Sequence, residues 1–341
     1  MRGMKRFLAL GLVLALLAGC APAQTQAQPA EERTFFAMDT VMTLRLYQGG
    51  DEAALDQAEA RVKGLEALWS VTDEDSEIYV LNRDGSAELS PETAGLLDTA
   101  LDLCERTGGA LDISTYPALR AWGFTTGEYS VPGEEAIAAL LPLVDYTKVG
   151  LDGTRASLPD GMEIDLGSVA KGYAGDALAA LLRENGVTSA MLDLGGNIQA
   201  VGTRPDGSPW RVGVRSPDGE GTIGIVQVEN QAVVTSGGYE RYFEEGGVRY
   251  WHILDPQTGT PARSGLASVT VVGDSGILCD GLSTALFVMG LEDALEHWRQ
   301  YRDFEAIFIS EDGSVTITAG LEDTFALSQN DRALDVARIF R

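Results

Sequence analysis

The 341 residues carry 51 acidic against 25 basic side chains, a formal charge of −26. That is the wrong sign for neutralising a phosphate backbone, so nucleic acid is excluded as a partner. An apolar content of 45 % supports a substantial core in one large domain or two small ones. On so acidic a chain an anionic ligand needs a local cation, which directs attention to individual lysines and to bound metal.

The chain opens with Arg2, Lys5 and Arg6 before an apolar run from Phe7 to Ala18, too short to span a bilayer comfortably. The run ends in Leu17-Ala18-Gly19-Cys20, which is similar to the bacterial lipobox. Residues 1–19 therefore read as a lipoprotein signal peptide, cleaved before Cys20, with a lipid on the Cys20 thiol; a plain secretory signal is the blander reading. Residues 20–33, rich in Ala, Gln and Pro up to Glu32, read as the lipidated cysteine and a flexible tether. Residues 34–341 then form the folded domain. Its expected place is the cell envelope, lipid-anchored on the extracytoplasmic side of the cell membrane or on an outer membrane facing the periplasm.

Thr34 to Leu46 has strand character, with Met38-Asp39-Thr40 inside it. Glu52 to Trp69 reads as an amphipathic helix with Leu55, Ala58, Val62, Leu65 and Leu68 on one face. Ser90-Pro91-Glu92 starts a second helix by cap and first-turn proline, and Pro132-Gly133 introduces a third that runs through Val144. A strand ending in Asp165, a short glycine turn and a helix to about Asn185 come next, with Gly186 as the stop. Strands are then expected at Ser189–Asp193, Trp210–Arg215, Gly224–Val228, Ala232–Ser236, Tyr250–Leu254 and Ala267–Val272. Helices from about Asp280 to Met289 and from Leu291 to Arg302 precede two final strands. No internal repeat or linker interrupts residues 34–341. Helix-rich and strand-rich stretches are mixed without regular alternation, so the fold class is α+β, a single mixed α/β domain. Cys104 and Cys279 lie in apolar helical patterns and read as small buried hydrophobes, not as a disulfide.

The stretch Ile164 to Asp176 concentrates the chemistry. Asp165, Ser168 and Lys171 are three apart and crowd one helix start, where free N–H groups and close glycine backbone suit a phosphate-bearing ligand with a cation. The pattern is neither a Walker A loop nor a G-x-G-x-x-G fingerprint, and an ordinary capped helix also fits it. Asp280 and Thr284, four apart at an expected helix start, offer carboxylate and hydroxyl oxygens to a hard cation such as Mg²⁺; taken alone, the pair reads sooner as a helix cap and a buried filler. In His252-Ile253-Leu254-Asp255-Pro256-Gln257-Thr258-Gly259, Asp255 reads as a turn former, whereas His252 sits at a strand end where a neutral ring could take a proton. His297, on a late helix, reads as surface. Gly195-Gly196-Asn197 and Ser236-Gly237-Gly238-Tyr239 are glycine-rich strand ends that permit close backbone approach.

Taken together the chain resembles the FAD:protein FMN transferase family, the ApbE-like flavin lipoproteins. The runs that carry the resemblance are Phe36–Thr40, Ala110–Ile113 with Trp122–Phe124, Ile164–Asp176, Asp193–Asn197, Thr235–Phe243, His252–Gly259 and Asp280–Gly290, in family order from Thr34 onward. The resemblance implies an ApbE-like fold and an enzyme that binds FAD with Mg²⁺. A Thr or Ser hydroxyl of an acceptor flavoprotein would attack the FMN-side phosphorus, linking FMN by a phosphoester and releasing AMP. By position, Met38, Ala110, Leu111, Asp112, Asp165, Lys171, Asn197 and Ile253 would line the FAD site. Ser168, partly through backbone oxygen, Asp280 and Thr284 would hold the metal, and His252 would activate or orient the acceptor hydroxyl. The chain departs from the pattern at Ser70-Val71-Thr72, with Thr72 where many members place an aromatic contact to FAD, and at Asp39, where glycine is frequent. Lys171 stands where the family also uses Glu. The same groups could pass FMN to water, as an FAD pyrophosphatase; a non-catalytic flavin-binding lipoprotein is the reading from a different class.

Overall fold

The computed structural model describes residues 28–219, 221–328 and the backbone of 336–338. The expected signal peptide, Cys20 and the tether up to residue 27 lie outside the described residues. Nine strands make the main sheet, and their spatial order is their chain order: β1 (Glu31–Ala37), β2 (Thr40–Gln48), β3 (Ser189–Leu194), β4 (Asn197–Gly202), β5 (Ala232–Gly237), β6 (Leu266–Gly273), β7 (Glu305–Ser310), β8 (Val315–Ile317) and β9 (Val336–Arg338). Every pair is antiparallel except β8 with β9. The mixture of this sheet with unevenly spaced helices is the α+β organisation expected.

Strand periodicity decides which layer each side chain joins. In β5, Val234 packs with Val269 and Val271 of β6 against Leu282, Leu286 and Phe287 of a helix, whereas Val233 turns the other way with Val272 and Ile307. The first face is covered by α1 (Glu52–Trp69), α3 (Ala170–Glu184) and α4 (Gly276–Met289), and α2 (Pro91–Arg106) packs outside α4. The second face meets a small sheet of Trp210–Arg215, Thr222–Val228 and Phe325–Leu327, whose Trp210, Val226 and Phe325 fill the other core. A last helix, α5 (Leu291–Tyr301), buries Ala294 and Trp298 beside Phe304.

Several expectations are corrected. Thr34 to Leu46 is two strands, broken at Met38 and Asp39, both at positive φ, so that Ala37 pairs with Thr40 across a two-residue loop. Its first strand begins at Glu31, ahead of Thr34. Ile164–Asp165 is irregular backbone instead of strand: the Asn82 side chain brackets Ile164, donating to its carbonyl and accepting its N–H, and Asp165 N–H donates to Ile113. α4 starts at Gly276 with Ser275 as its cap, so Asp280 lies one turn inside the helix and is not its cap. The third expected helix is helical only over Glu134–Leu140, with a tight turn at Leu141–Leu143. The C-terminal region holds the short strands Phe325–Leu327 and Val336–Arg338 beyond the two foreseen.

The stop at Gly186 is as expected: at φ +80° it lets Val187 N–H return to the Leu182 carbonyl and close the end of α3. Cys104 and Cys279 are buried and unbridged. Burial pushes the Cys104 thiol up to about 12 and that of Cys279 well above its ordinary value.

Candidate active site

The β1–β2 loop, the start of α3, the β3–β4 turn, the end of β5 and the first turns of α4 converge on one side of the sheet. They enclose a cleft of about 460 Å³, within the range of small-molecule sites. Met38, Ala110, Leu111, Asp112, Asp165, Ser168, Lys171, Asn197, His252, Ile253, Asp280 and Thr284 all line it. Residues up to 246 positions apart in number (38 to 284) are thus gathered in one place.

Asp165 is held by its own turn: its Oδ1 accepts the Gly167 N–H at 2.8 Å. Leu166 O then accepts the N–H groups of Val169 and Ala170, which launches α3 without a side-chain cap. Lys171 Nζ reaches back to the Gly167 carbonyl at 3.4 Å, so the acid and the ammonium flank the same turn. Burial raises the Asp165 carboxyl above its ordinary value, against the Gly167 N–H and the Lys171 charge.

Asp280 is buried, at 5 % exposure, and its Oδ2 accepts the Gly172 N–H at 2.8 Å. This contact exists because α3 and α4 cross at glycines. A Cβ on Gly172 would lie 2.2 Å from the Gly276 carbonyl oxygen and 2.7 Å from Asp280 Cβ. From α3, Asp176 accepts the N–H groups of Gly276 at 2.7 Å and Ile277 at 3.1 Å, satisfying the free donors at the start of α4. Burial raises Asp280 as well, offset by Lys171 and by the Asn197 amide beside it. Thr284 sits one turn further along α4. Its hydroxyl is 3.3 Å from Ser236 Oγ, which also touches Ser283 Oγ at 2.8 Å; Ser283 in turn donates to the Asp280 carbonyl.

These groups bear on metal binding. Among the described residues no three His, Cys, Asp or Glu side chains gather as a metal cluster. The three expected metal donors, the Asp280 carboxylate, the Thr284 hydroxyl and the Ser168 stretch, line the same cleft and are all hard oxygens. Such a set fits a divalent ion of the Mg²⁺ kind, which keeps waters and takes the rest of its shell from substrate phosphates.

His252 follows directly on the strand Val248–Trp251. Its N–H and its Nδ1 both face the Arg241 carbonyl, at 3.1 Å and 3.3 Å. With Nδ1 protonated toward that carbonyl, Nε2 is left as an acceptor. Burial, then the Arg241 charge, lowers this imidazole to about 4. Asp255 is the turn former expected, its carbonyl accepting from Thr258 and Gly259. Asp112 has a structural duty besides lining the cleft: Oδ1 accepts from Ser114 and Oδ2 from Tyr146 N–H, while burial raises its pKa. Ser70 and Thr72 join hydroxyl to hydroxyl at the end of α1. His297 is not at the surface: it is 8 % exposed, packed on Tyr301 and Phe304, and burial lowers it to about 4.

Arg241 and Asp39 were missed as charged site residues. Both line the cleft, and their side chains meet at 3.4 Å, while Arg241 also donates to the Phe124 carbonyl. The glycines are the readable feature of the run Thr235–Phe243, and nothing in its spacing distinguishes Arg241 from Glu240.

Known proteins resemble this chain in both sequence and fold. The model of the ApbE family matches residues 38–308. An FAD:protein FMN transferase of Treponema pallidum is 32 % identical over 340 residues, covering 92 % of this chain and 94 % of the relative. Among solved structures, the ApbE protein of Thermotoga maritima superposes with a TM-score of 0.78 at 32 % identity, over 84 % of this chain and 96 % of its own. The flavin transferase ApbE from Vibrio cholerae also gives 0.78, at 28 % identity, over 87 % of this chain and all of its own.

Proposed function

The chain belongs to the ApbE family, and from that premise we propose that it is an FAD:protein FMN transferase, an enzyme that moves FMN from FAD onto an acceptor protein. One observation carries the reading: Asp165, Lys171, His252, Asp280 and Thr284 meet in a single cleft, which is the donor and charge set that a diphosphate-bearing substrate requires.

FAD lies along Met38, Ala110–Asp112, Asp165, Lys171, Asn197 and Ile253, with its diphosphate toward Lys171. Ser168, Asp280 and Thr284 would hold Mg²⁺, which when bound supplies positive charge to the diphosphate. The hydroxyl oxygen of an acceptor Thr or Ser forms a bond to the FMN-side phosphorus. The bond between that phosphorus and the bridging oxygen breaks, and AMP leaves with the electron pair. His252 Nε2 takes the hydroxyl proton. An imidazole near 4 is a weak base, and a bound diphosphate anion beside it would raise its affinity for that proton. Lys171 balances charge, and the apolar walls at Leu111 and Ile253 exclude water.

We also propose residues 1–19 as a signal peptide and Cys20 as the lipid-bearing residue, placing the enzyme on the extracytoplasmic side of an envelope membrane. Cys20→Ala should abolish radiolabelled fatty-acid incorporation; labelling that persists would remove Cys20 as the lipidated residue.

The deciding experiment incubates the protein from Glu31 onward with FAD, Mg²⁺ and an acceptor domain bearing a target threonine. AMP release with a covalent FMN adduct on the acceptor is the expected result. AMP with free FMN and no adduct would make it an FAD pyrophosphatase. FAD binding without AMP would leave a flavin-binding lipoprotein.

A further inference from the structure

The lip of the cleft is an unusual hairpin. β1 and β2 are joined by the two residues Met38 and Asp39, at φ +49° and +59°. Two-residue hairpin loops with consecutive positive φ ordinarily use Asn-Gly or Gly-Gly, because a Cβ is disfavoured there. Neither residue here relieves that strain in the way glycine would, so the conformation has to be imposed from outside.

Three contacts impose it. Gly195 lies so close to Thr40 that a Cβ there would be 2.2 Å from the threonine hydroxyl, which seats the loop against the β3–β4 turn. Asp39 meets Arg241 across the cleft at 3.4 Å, an exposed pair of small energetic value. The third contact comes from behind: Met38 N–H donates to Glu66 Oε1 at 2.7 Å, a charge-assisted bond from the last turn of α1. Glu66 is itself anchored, since its carbonyl accepts the Ser70 N–H that closes α1. Met38, Asp39 and Thr40 line the cleft, whereas Glu66 does not.

We infer that Glu66 is a positioning residue for the FAD substrate, holding the Met38–Asp39 lip in its left-handed conformation so that the lip meets the ligand ready-formed. The inference rests on the FAD-dependent reading of the cleft and extends it to a residue that touches no substrate. Without the Glu66 acceptor the loop samples other conformations, and part of the binding free energy is spent on re-forming it. We expect turnover of bound substrate to hold, because the lip's link toward His252, the Asp39–Arg241 pair, is exposed and weak.

Glu66→Gln keeps an oxygen acceptor in the same place, and Glu66→Ala removes it while preserving helix propensity. We expect FAD affinity, read by flavin fluorescence, and the KM for FAD to weaken roughly fivefold to tenfold in the alanine variant, with kcat unchanged. Glu66→Gln keeps the hydrogen bond and loses its charge assistance, so its loss should be smaller, about twofold to threefold. Amide exchange at Met38 should be slow in the parent and the glutamine variant and fast in the alanine variant. A Glu66→Ala protein that melts lower but keeps the parental KM would overturn the inference, leaving Glu66 a purely structural residue. Equal loss in both variants would also overturn it, because charge and not the hydrogen bond would then be responsible. If the parent protein binds no FAD at all, the reading of the cleft fails. Exchange at Met38 would still show separately whether Glu66 holds the lip.

Discussion

The Asp280 carboxylate takes the Gly172 N–H across the crossing of two helices, and this bond makes the spacing of α3 and α4 part of the candidate site. The Lys171 turn belongs to one helix, and Asp280 and Thr284 belong to the other. Their relative position therefore depends on how closely the two backbones approach, which Gly172 and Gly276 permit.

Gly172→Ala should consequently damage both stability and activity. The new methyl would overlap the Gly276 carbonyl, and backbone cannot yield as a flexible side chain can. Overpacking of this kind costs about 1–3 kcal/mol, readable as a lower urea midpoint at unchanged slope. Activity should fall beyond the unfolded fraction, because the helices must separate. A variant with parental stability and rate would show that the crossing does not set the site.

Asp280→Asn separates catalysis from folding. The amide oxygen can still accept from Gly172, so the crossing survives, yet the charge is gone. Turnover should drop at least about 100-fold, as when a group that stabilises transition-state charge is lost. Stability at pH 7 should hold or rise. The folded-state pKa of Asp280 is raised by burial, so its contribution is fully present below pH 3.8 and is lost as pH climbs through the folded value. Isothermal titration with Mg²⁺ in the presence of FAD should lose its signal in this variant; retained Mg²⁺ binding would remove Asp280 from the metal site.

His252→Gln should lower kcat by about 10²–10⁴, the range for loss of a positioned proton acceptor, with little change in FAD affinity. In the parent enzyme kcat should decline as pH falls, because protonation of the ring removes the Nε2 acceptor. That acid limb should be absent from the residual activity of the variant. Transfer at the normal rate by His252→Gln would end its role as base.

Away from the cleft, His297 should make the fold acid-sensitive. Among the described residues its buried Nε2 has no hydrogen-bond partner, and its folded-state value is about 4 against an ordinary 6.5. The unfolded chain therefore binds the proton first. The stability associated with a neutral His297 is complete above pH 6.5 and is lost as pH falls from there toward 4. The slope for one such group is at most about 1.4 kcal/mol per pH unit. Urea unfolding at pH 7.5, 6 and 5 should show His297→Phe with a shallower decline than the parent. His252, with the same sign of shift, should keep some of it. Parallel declines would exclude His297.

The sequence was most readable where a residue's role is local. The cap at Ser90, the glycine stop at Gly186 and the turn at Asp255 follow from chemistry within a few positions, and each is found as read. The site residues were legible as short runs, and the resemblance to a family supplied their convergence, because nothing in Met38 or Ile253 alone points to a ligand. What escaped was long-range. Ile164–Asp165 has a strand's apolar pattern, but Asn82 takes both hydrogen-bonding groups of Ile164 that a neighbouring strand would have used. His297 looked exposed between Glu296 and Trp298, yet Tyr301 and Phe304 cover it. The Asp39–Arg241 and Met38–Glu66 contacts join residues whose sequence distance gives no hint of pairing.

The cleft borrows from nearly every part of the fold, from the first hairpin to α4, and the sheet beneath it is closed by pairings such as β2 with β3 that span more than a hundred residues. Contacts of such separation form slowly, and the cleft is complete only when they have formed. Dinucleotide affinity should therefore appear all at once, when the last segments dock, and ligand should then protect the whole domain, by about 2.7 kcal/mol at a hundredfold excess over Kd. If the chain is exported as proposed, crossing a membrane before it folds, it would arrive on the far side empty and would have to meet its FAD there.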